Sequence, residues 1–432
     1  MSRPVSRRDF IRQALAAGTA VPAASALGTR ILLADDTTSA NEKLRLGVIG
    51  VDGRGGANLS GVSSENIVAL CDIDDMRLDK AAATYPDAKK FNDCLELLEI
   101  NDLDGVVVST PDHMHAIPIA KALRKKLPTY SEKPLTHSIY EARVLRDLTI
   151  ESGVSTQMGN QIHSEPNYRR VVEAIQGGVI GPVRRVHVWQ GGTVSPGKLV
   201  KEATPPKHVH YDLWLGPAPY RPFHESHFHF HWRWWWDFGG GQLADFVCHY
   251  VDLPVWALNL TLPETITAEG VKDYEGDNDT PSKLKVDYEF PARGLLPAVH
   301  MTWYHGGWQP EGAEEYGKGS AVLFEGEDGR LLADYGTRKV YMNTGKEEKT
   351  VAETIPNSIG HHKEWIESIK TGTRTMSPFT YGVILTEIGH LGNVSYRVGQ
   401  KRLEWDADGM KASNCPDADQ FIKREYREGW TL

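Results

Sequence analysis

The stretch LRLGVIGVDGRG, residues 44–55, decides how the chain folds. Residues 44–49 are a short apolar run of the kind that makes a buried strand, and Gly50-Val51-Asp52-Gly53-Arg54-Gly55 leads from it into a candidate helix. This is the position of a dinucleotide loop. Such a loop needs a tight turn at its first glycine, amides at a helix N-terminus aimed at pyrophosphate, and no side chain where backbone meets phosphate. Gly50, Gly53, Arg54 and Gly55 are the candidate contacts. Asp52 is the departure, because a carboxylate in place of the second glycine would crowd and repel pyrophosphate unless Gly53 shifts the loop.

The flanking pattern repeats strand, loop and helix. Residues 66–71 (NIVALC) read as a second strand ending at Asp72, about twenty residues past the loop, where a carboxylate accepts hydrogen bonds from an adenosine ribose and so favours NAD over NADP. A third apolar run, residues 105–108, leads into Ser109-Thr110-Pro111-Asp112-His113-Met114-His115 and a helical pattern at 117–123. Residues 127–130 precede Ser131-Glu132-Lys133-Pro134, followed by a helix at 138–152 and a strand at 154–158. This alternation predicts an α/β fold, a Rossmann doubly wound parallel sheet with its ligand across the carboxyl ends of the strands. Pro111, Lys133 and Asn160 fall at that edge, with Thr110, His115 and Glu132 beside them as cofactor contacts.

Composition narrows the ligand. The 432 residues predict two sizeable domains, and a net charge of −9 without a lysine-arginine block argues against nucleic acid as partner. Four scattered cysteines, with no C-x-x-C pair, indicate neither a zinc ribbon nor a dense disulfide framework. Ser6-Arg7-Arg8-Asp9-Phe10-Ile11 and the alanine-rich run at 14–27 read as a twin-arginine export peptide, residues 1–34, followed by a linker at 35–43. That run is too short to be a stable membrane span. A periplasmic or other extracytoplasmic enzyme exported folded is expected to carry its cofactor tightly bound.

GGGQLADFVCHYVD, residues 239–252, supplies the second half of a site. Asp245, His249 and Asp252 recur at spacings of four and three, which puts them on one helical face. A histidine oriented by a carboxylate suits removal of a hydroxyl proton, so His249 is the candidate base and Asp245 its partner. Asp252 reads as structural, since Pro254 close behind it would end or kink the helix. Residues 191–238 are loaded with proline, tryptophan and histidine and are expected to form a lid. His227, His229 and His231 alternate as on one face of an extended strand, but without matching carboxylates or thiolates no metal is expected. Of Trp234, Trp235 and Trp236, at least one should pack in the core or at a subunit contact. Alternating patterns at 265–271, 284–290, 295–303, 320–324, 329–335 and 339–342 predict a large sheet. His300 and His305 on it serve either the pocket or packing. Helices are expected at 359–369 and 381–398, with a docked tail at 426–430.

The ordered set of the glycine loop after LGVIG, STPDHMH, SEKPL, GNQIHSEPNYRR, GPVRRVHVW and GGGQLADFVCHYVD resembles the Gfo/Idh/MocA oxidoreductases, the family of glucose-fructose oxidoreductase and inositol dehydrogenase. WLGPAPYRPF, HWRWWWDF and WDADGMKASN resemble an exported, aromatic-rich branch. The resemblance implies a nicotinamide domain at 44–160 and an α/β domain at 161–432. The second domain's open, mostly antiparallel sheet would cover the substrate and mediate a homo-oligomer, a dimer or tetramer, while the closing segment packs back on the first domain. It also implies that Lys133 relays or polarises a proton beside Glu132, and that Asp245 and His249 bind the sugar and transfer its proton. Gln161, His163, Tyr168 and Trp235 are implied as further substrate contacts. The expected reaction is hydride transfer between NAD and a secondary hydroxyl of a sugar, cyclitol or glycoside. Two alternatives remain: a glycosidase working by transient C3 oxidation and elimination, and a sugar-binding protein without turnover.

Overall fold

The computed structural model describes residues 42–192 and 195–432; the export signal and the linker up to residue 41 lie outside the described residues. The first sheet contains β1 (Arg45–Ile49), β2 (Asn66–Cys71), β3 (Lys89–Phe91), β4 (Gly105–Val108), β5 (Thr129–Ser131) and β6 (Thr156–Met158). Its order is β3-β2-β1-β4-β5-β6, every pairing parallel, which is the doubly wound dinucleotide-binding order. Alternation along the strands serves two apolar layers. Leu46, Val48 and Val107 face one layer, whereas Ile49, Val106 and Val108 face the other. Helix Ile139–Ser152 begins with a capping box, Ser138 against Glu141, and stops at Gly153, whose φ of 65° suits a residue without a Cβ.

The second sheet is built from β7 (Val183–Gln190), β8 (Thr265–Val271), β9 (Lys283–Phe290), β10 (Val299–His305), β11 (Ala321–Gly326), β12 (Gly329–Ala333), β13 (Arg338–Met342), β14 (Leu403–Asp406) and β15 (Lys411–Ala412). They run β13-β12-β11-β7-β10-β9-β8-β14-β15, antiparallel except where β7 pairs with β10. Central β7 escapes the sequence pattern because adjacent Arg184 and Arg185 interrupt its alternation. β10 starts at Val299 rather than 295, since residues 291–297 make a turn closed by Arg293 and Leu296, and Pro297 has no amide to give a ladder.

Two later helices return to the first domain. Helix His361–Thr371 inserts Trp365, fully buried, into the layer of Leu46, Val48 and Tyr130. Helix Phe379–Arg397 packs on Ile139–Ser152, where Glu387 receives a two-pronged ion pair from Arg143 at 2.6 and 2.7 Å. The chain's last turn docks through Arg424 and Tyr426, both bonded to Glu141. All four cysteines are buried and unpaired. No helix among the described residues is long and apolar enough to cross a membrane.

Candidate active site

A cavity of about 760 Å³ runs from the end of β1 to helix Gly241–Tyr250, where Asp245, Phe246 and His249 line it. Its first wall is the glycine loop. Gly50 and Gly53 have φ of 80° and 56°, and a Cβ on Gly55 would lie 2.1 Å from the Gly50 carbonyl oxygen. Only glycine meets these demands together. Asp52 lies 3.5 Å from Arg77 Nη1 and 3.8 Å from Lys80 Nζ, both on helix Asp75–Ala82. Its charge is therefore partly offset before any ligand arrives. Asp52→Gly is expected to tighten NAD binding less than about five-fold, matching the ~1 kcal/mol of a partly exposed charge at a helix N-terminus. Titration of apoprotein checks this, and a hundred-fold gain would contradict it. Asp72 accepts the amides of Val51 (3.1 Å) and Asp74 (3.0 Å), which oppose the upward pull of burial on its pKa.

Glu132 organises the middle of the cavity. Its Oε1 accepts from Arg54 Nε (3.0 Å), Asn58 Nδ2 (3.0 Å) and Gln161 Nε2 (2.9 Å), so the glycine loop and the end of β5 are tied through one carboxylate. Beside it Lys133 Nζ donates to Asp245 Oδ1 at 2.6 Å and to the Asp245 carbonyl. Arg233 Nε approaches the same carboxylate at 3.4 Å. Burial pushes Asp245 up, but Lys133, Arg233 and His249 outweigh it and hold the carboxyl at about 2. One turn further on, burial and then Lys133 push His249 down to about 3. Among the described residues its buried Nδ1 has no hydrogen-bond partner, and neither does the hydroxyl of Thr110, which also lines the cavity. A neutral imidazole able to accept a proton thus adjoins a lysine ion-paired to a carboxylate.

His113, His227, His249, His305 and His361 are all pushed to about 3, in each case first by burial. They stay neutral in the folded chain but titrate near the ordinary value of about 6.5 when unfolded. Their contribution to stability is therefore complete above about 6.5 and is lost as pH falls toward 3. Melting temperature should fall progressively on acidification from neutrality; a flat profile down to about pH 4 would contradict the burial of these rings.

The placement of the remaining expected residues divides sharply. Gly50, Gly53, Arg54, Gly55, Asp72, Thr110, Pro111, His115, Glu132, Lys133, Gln161, Asp245 and His249 line the cavity. Asn160, His163, Tyr168 and Trp235 are buried and are not among the residues that line it. Asn160 accepts from Ser377, and His163 sits between Asp252 (3.0 Å) and the Trp256 ring. Tyr168 donates to the His249 carbonyl at 3.1 Å, holding the helix rather than the ligand. His231–Trp234 is a 3-10 turn rather than a strand, and it brings Trp232 and Arg233 rather than Trp235 to the cavity wall. Turns over residues 225–230, followed by this one, disperse the three alternating histidines: His227 meets Tyr211, His229 meets Asp74, and His231 stacks on Trp234. Asp252 opens a separate helix, Asp252–Leu258, and ties His163 to Tyr381. His300 pairs with Asp287 and Glu289, and His305 accepts from Trp303, both away from the cavity.

The sequence reading passed over Asp112, Arg233, Tyr335 and Trp430, which all line the cavity. Asp112 is 5% exposed; burial and then the Asp245 charge push its carboxyl well above the usual range, with Arg233 and Lys133 opposing. STPDHMH contained the signal, an acid at the carboxyl end of a buried strand.

A doubly wound domain with a glycine-turn groove, joined to a sheet domain that supplies a lysine-carboxylate-histidine cluster, defines a two-domain nicotinamide-binding protein. The oxidoreductase-family NAD-binding Rossmann model matches residues 44–160, and the family's C-terminal alpha/beta model matches residues 184–432. The chain belongs to the GFO/IDH/MocA oxidoreductase family. It is similar to inositol 2-dehydrogenase of Rubrobacter xylanophilus, 28% identical over 36% of this chain and 47% of the relative. A glycosyl hydrolase family 109 protein of Solibacter usitatus is 34% identical over 32% of this chain and 34% of its own length. The chain thus spans about half or less of the curated relatives it matches. The WlbA dehydrogenase from Bordetella pertussis in complex with NADH and UDP-GlcNAcA shares the fold, with a TM-score of 0.60 and 18% identity over 85% of this chain and all of that one.

Proposed function

We propose that the protein transfers hydride between NAD and a secondary hydroxyl of a sugar, cyclitol or glycoside. The observation that carries this is the Lys133-Asp245-His249 cluster at the far end of a groove that begins with a pyrophosphate-type glycine turn. The groove fits the cofactor: its loop tolerates no Cβ at Gly55, and Thr110 and His249, both lining it, each hold a buried polar atom with no partner among the described residues. When bound, the nicotinamide supplies the hydride acceptor. The chain supplies the rest. His249 takes the hydroxyl proton, Lys133 polarises the same oxygen, and Asp245 fixes the lysine. NAD rather than NADP is favoured because Asp72 would repel a 2′-phosphate and the nearby Arg77 guanidinium is shared by Asp52 and Asp74.

Native mass spectrometry followed by identification of the released molecule tests the cofactor, and a sugar and glycoside panel tests the reaction. Keto-sugar formation supports the dehydrogenase. Bond cleavage without net NADH supports a second reading, motivated by the name of the Solibacter relative. In that reading, oxidation at C3 acidifies the C2 hydrogen, elimination expels the C1 substituent, water adds, and the hydride returns. A protein that binds sugar but neither NAD nor NADP would support the non-catalytic reading. Export by the twin-arginine route and a homo-oligomer belong to the same proposal; N-terminal sequencing of secreted protein and light scattering test them.

A further inference from the structure

Residues 208–230 press on the first domain at the end of β2, next to Asp72. The His210 amide donates to the Ile73 carbonyl (2.8 Å), and the Asp75 amide donates to the His208 carbonyl (2.9 Å). Two imidazoles then grip the start of helix Asp75–Ala82: His229 Nε2 lies 3.0 Å from Asp74 Oδ2, and His210 Nε2 lies 3.1 Å from Asp75 Oδ1. Behind these contacts Tyr211, Trp214, Phe223, Trp232, Trp235 and Phe238 form a hydrophobic cluster of their own, with Ile73 packed against it. This is a block with a packed interior rather than a loose loop.

The end of the chain is hooked to the same block. The Arg427 amide donates to the Pro217 carbonyl, and its guanidinium donates to the carbonyls of Gly216 and Asp212, each at 3.0 Å. Arg427 also pairs with the Asp212 carboxylate. The hook delivers Trp430 to the cavity wall, which also includes Ile73, Asn92 and Leu213. Ile73 follows Asp72 in the chain and Asn92 donates to the Asp72 carbonyl at 2.9 Å, so this part of the wall lies on the Asp72 side of the glycine loop. In a doubly wound sheet that side takes the adenosine, while Lys133 and His249 mark the opposite, nicotinamide end.

We propose that the 208–230 block and Trp430 form a clasp around the adenosine half of the cofactor, so that the dinucleotide leaves only when the clasp parts from Asp74 and Asp75. The proposal rests on the reading of the groove as a dinucleotide site. Trp430 supplies apolar and stacking surface, and the histidine-aspartate contacts set how readily the clasp opens. An enzyme of this kind keeps its dinucleotide through many turnovers, and substrate enters past the other end.

The test follows release directly. Holoprotein is mixed with excess isotopically heavy NAD, and exchange is read by native mass spectrometry for wild type, His210→Ala/His229→Ala, Trp430→Ala and Trp430→Phe. Both alanine proteins should exchange at least about ten-fold faster, the scale of one lost net hydrogen bond or stacking contact, while Trp430→Phe stays near wild type. The same acceleration should hold for ADP-ribose, which lacks nicotinamide. Unchanged exchange in folded variants, judged by circular dichroism, or acceleration confined to NAD, would overturn the clasp while leaving the cofactor reading intact. If one variant misfolds, the other decides. A wild-type protein that binds no dinucleotide would remove both.

Discussion

Lys133→Met protein is expected to fold, to keep its cofactor, and to turn over about 10²–10⁴-fold more slowly than wild type, the usual range for losing a positioned acid or base. Lys133 is the group that touches both the reacting end of the cavity and Asp245, at 2.6 Å. Its removal leaves Asp245 with Arg233 as the remaining close cation, 3.4 Å away. The carboxyl now held at about 2 should therefore rise, since its first opposing influence against burial is gone. Whatever activity remains should fail at a higher pH on the acid side than in wild type. Lys133→Arg should not rescue, because a forked guanidinium cannot reproduce a compact ammonium wedged between a carboxylate and its own carbonyl. Full turnover on an identified substrate by a folded Lys133→Met protein would sink the mechanism.

Arg143→Ala is expected to destabilise the chain by about 3–5 kcal/mol, the penalty for stranding one partner of a buried ion pair. Glu387 is completely buried, and its other contact is the Trp405 indole at 3.2 Å, which cannot neutralise it. The pair joins helix Ile139–Ser152 of the first domain to helix Phe379–Arg397 of the second. Arg143→Met/Glu387→Leu should recover most of the loss, because removing both charges also removes their desolvation cost. Urea midpoints of the three proteins check this. Equal loss in the single and double variants would show that packing, not charge, holds this contact.

The first domain was legible because its signals are local. A buried strand, a glycine turn and a helix follow one another within residues 44–61, and each repeat rebuilds the same unit. Lys133, Asp245 and His249 came from the resemblance as much as from spacing, and the structure brings them into one cluster. The wall between them was harder. Trp232 and Arg233 line the cavity and Trp235 does not, because a 3-10 turn rotates side chains differently from a strand and the aromatic run satisfies either pattern. His163 and Tyr168 flank the cavity in sequence, yet a buried carboxylate, Asp252, and a helix carbonyl draw them inward. Such partners lie 81 and 89 residues away, beyond any local pattern.

The position of Trp365 bears on how the chain is made. One layer of the first domain is closed by a helix that leaves the ribosome about two hundred residues after the sixth strand, so residues 44–160 finish synthesis with Leu46, Val48 and Tyr130 still lacking their cover. Central β7 is likewise stranded until β10 and β11 emerge. The first domain waits on the second, and completion comes late, after the helix at Phe379–Arg397 and then β14 and β15 have emerged. A nascent chain of this kind must be shielded over most of its length, and truncation anywhere before that helix should yield an insoluble product rather than a small working domain.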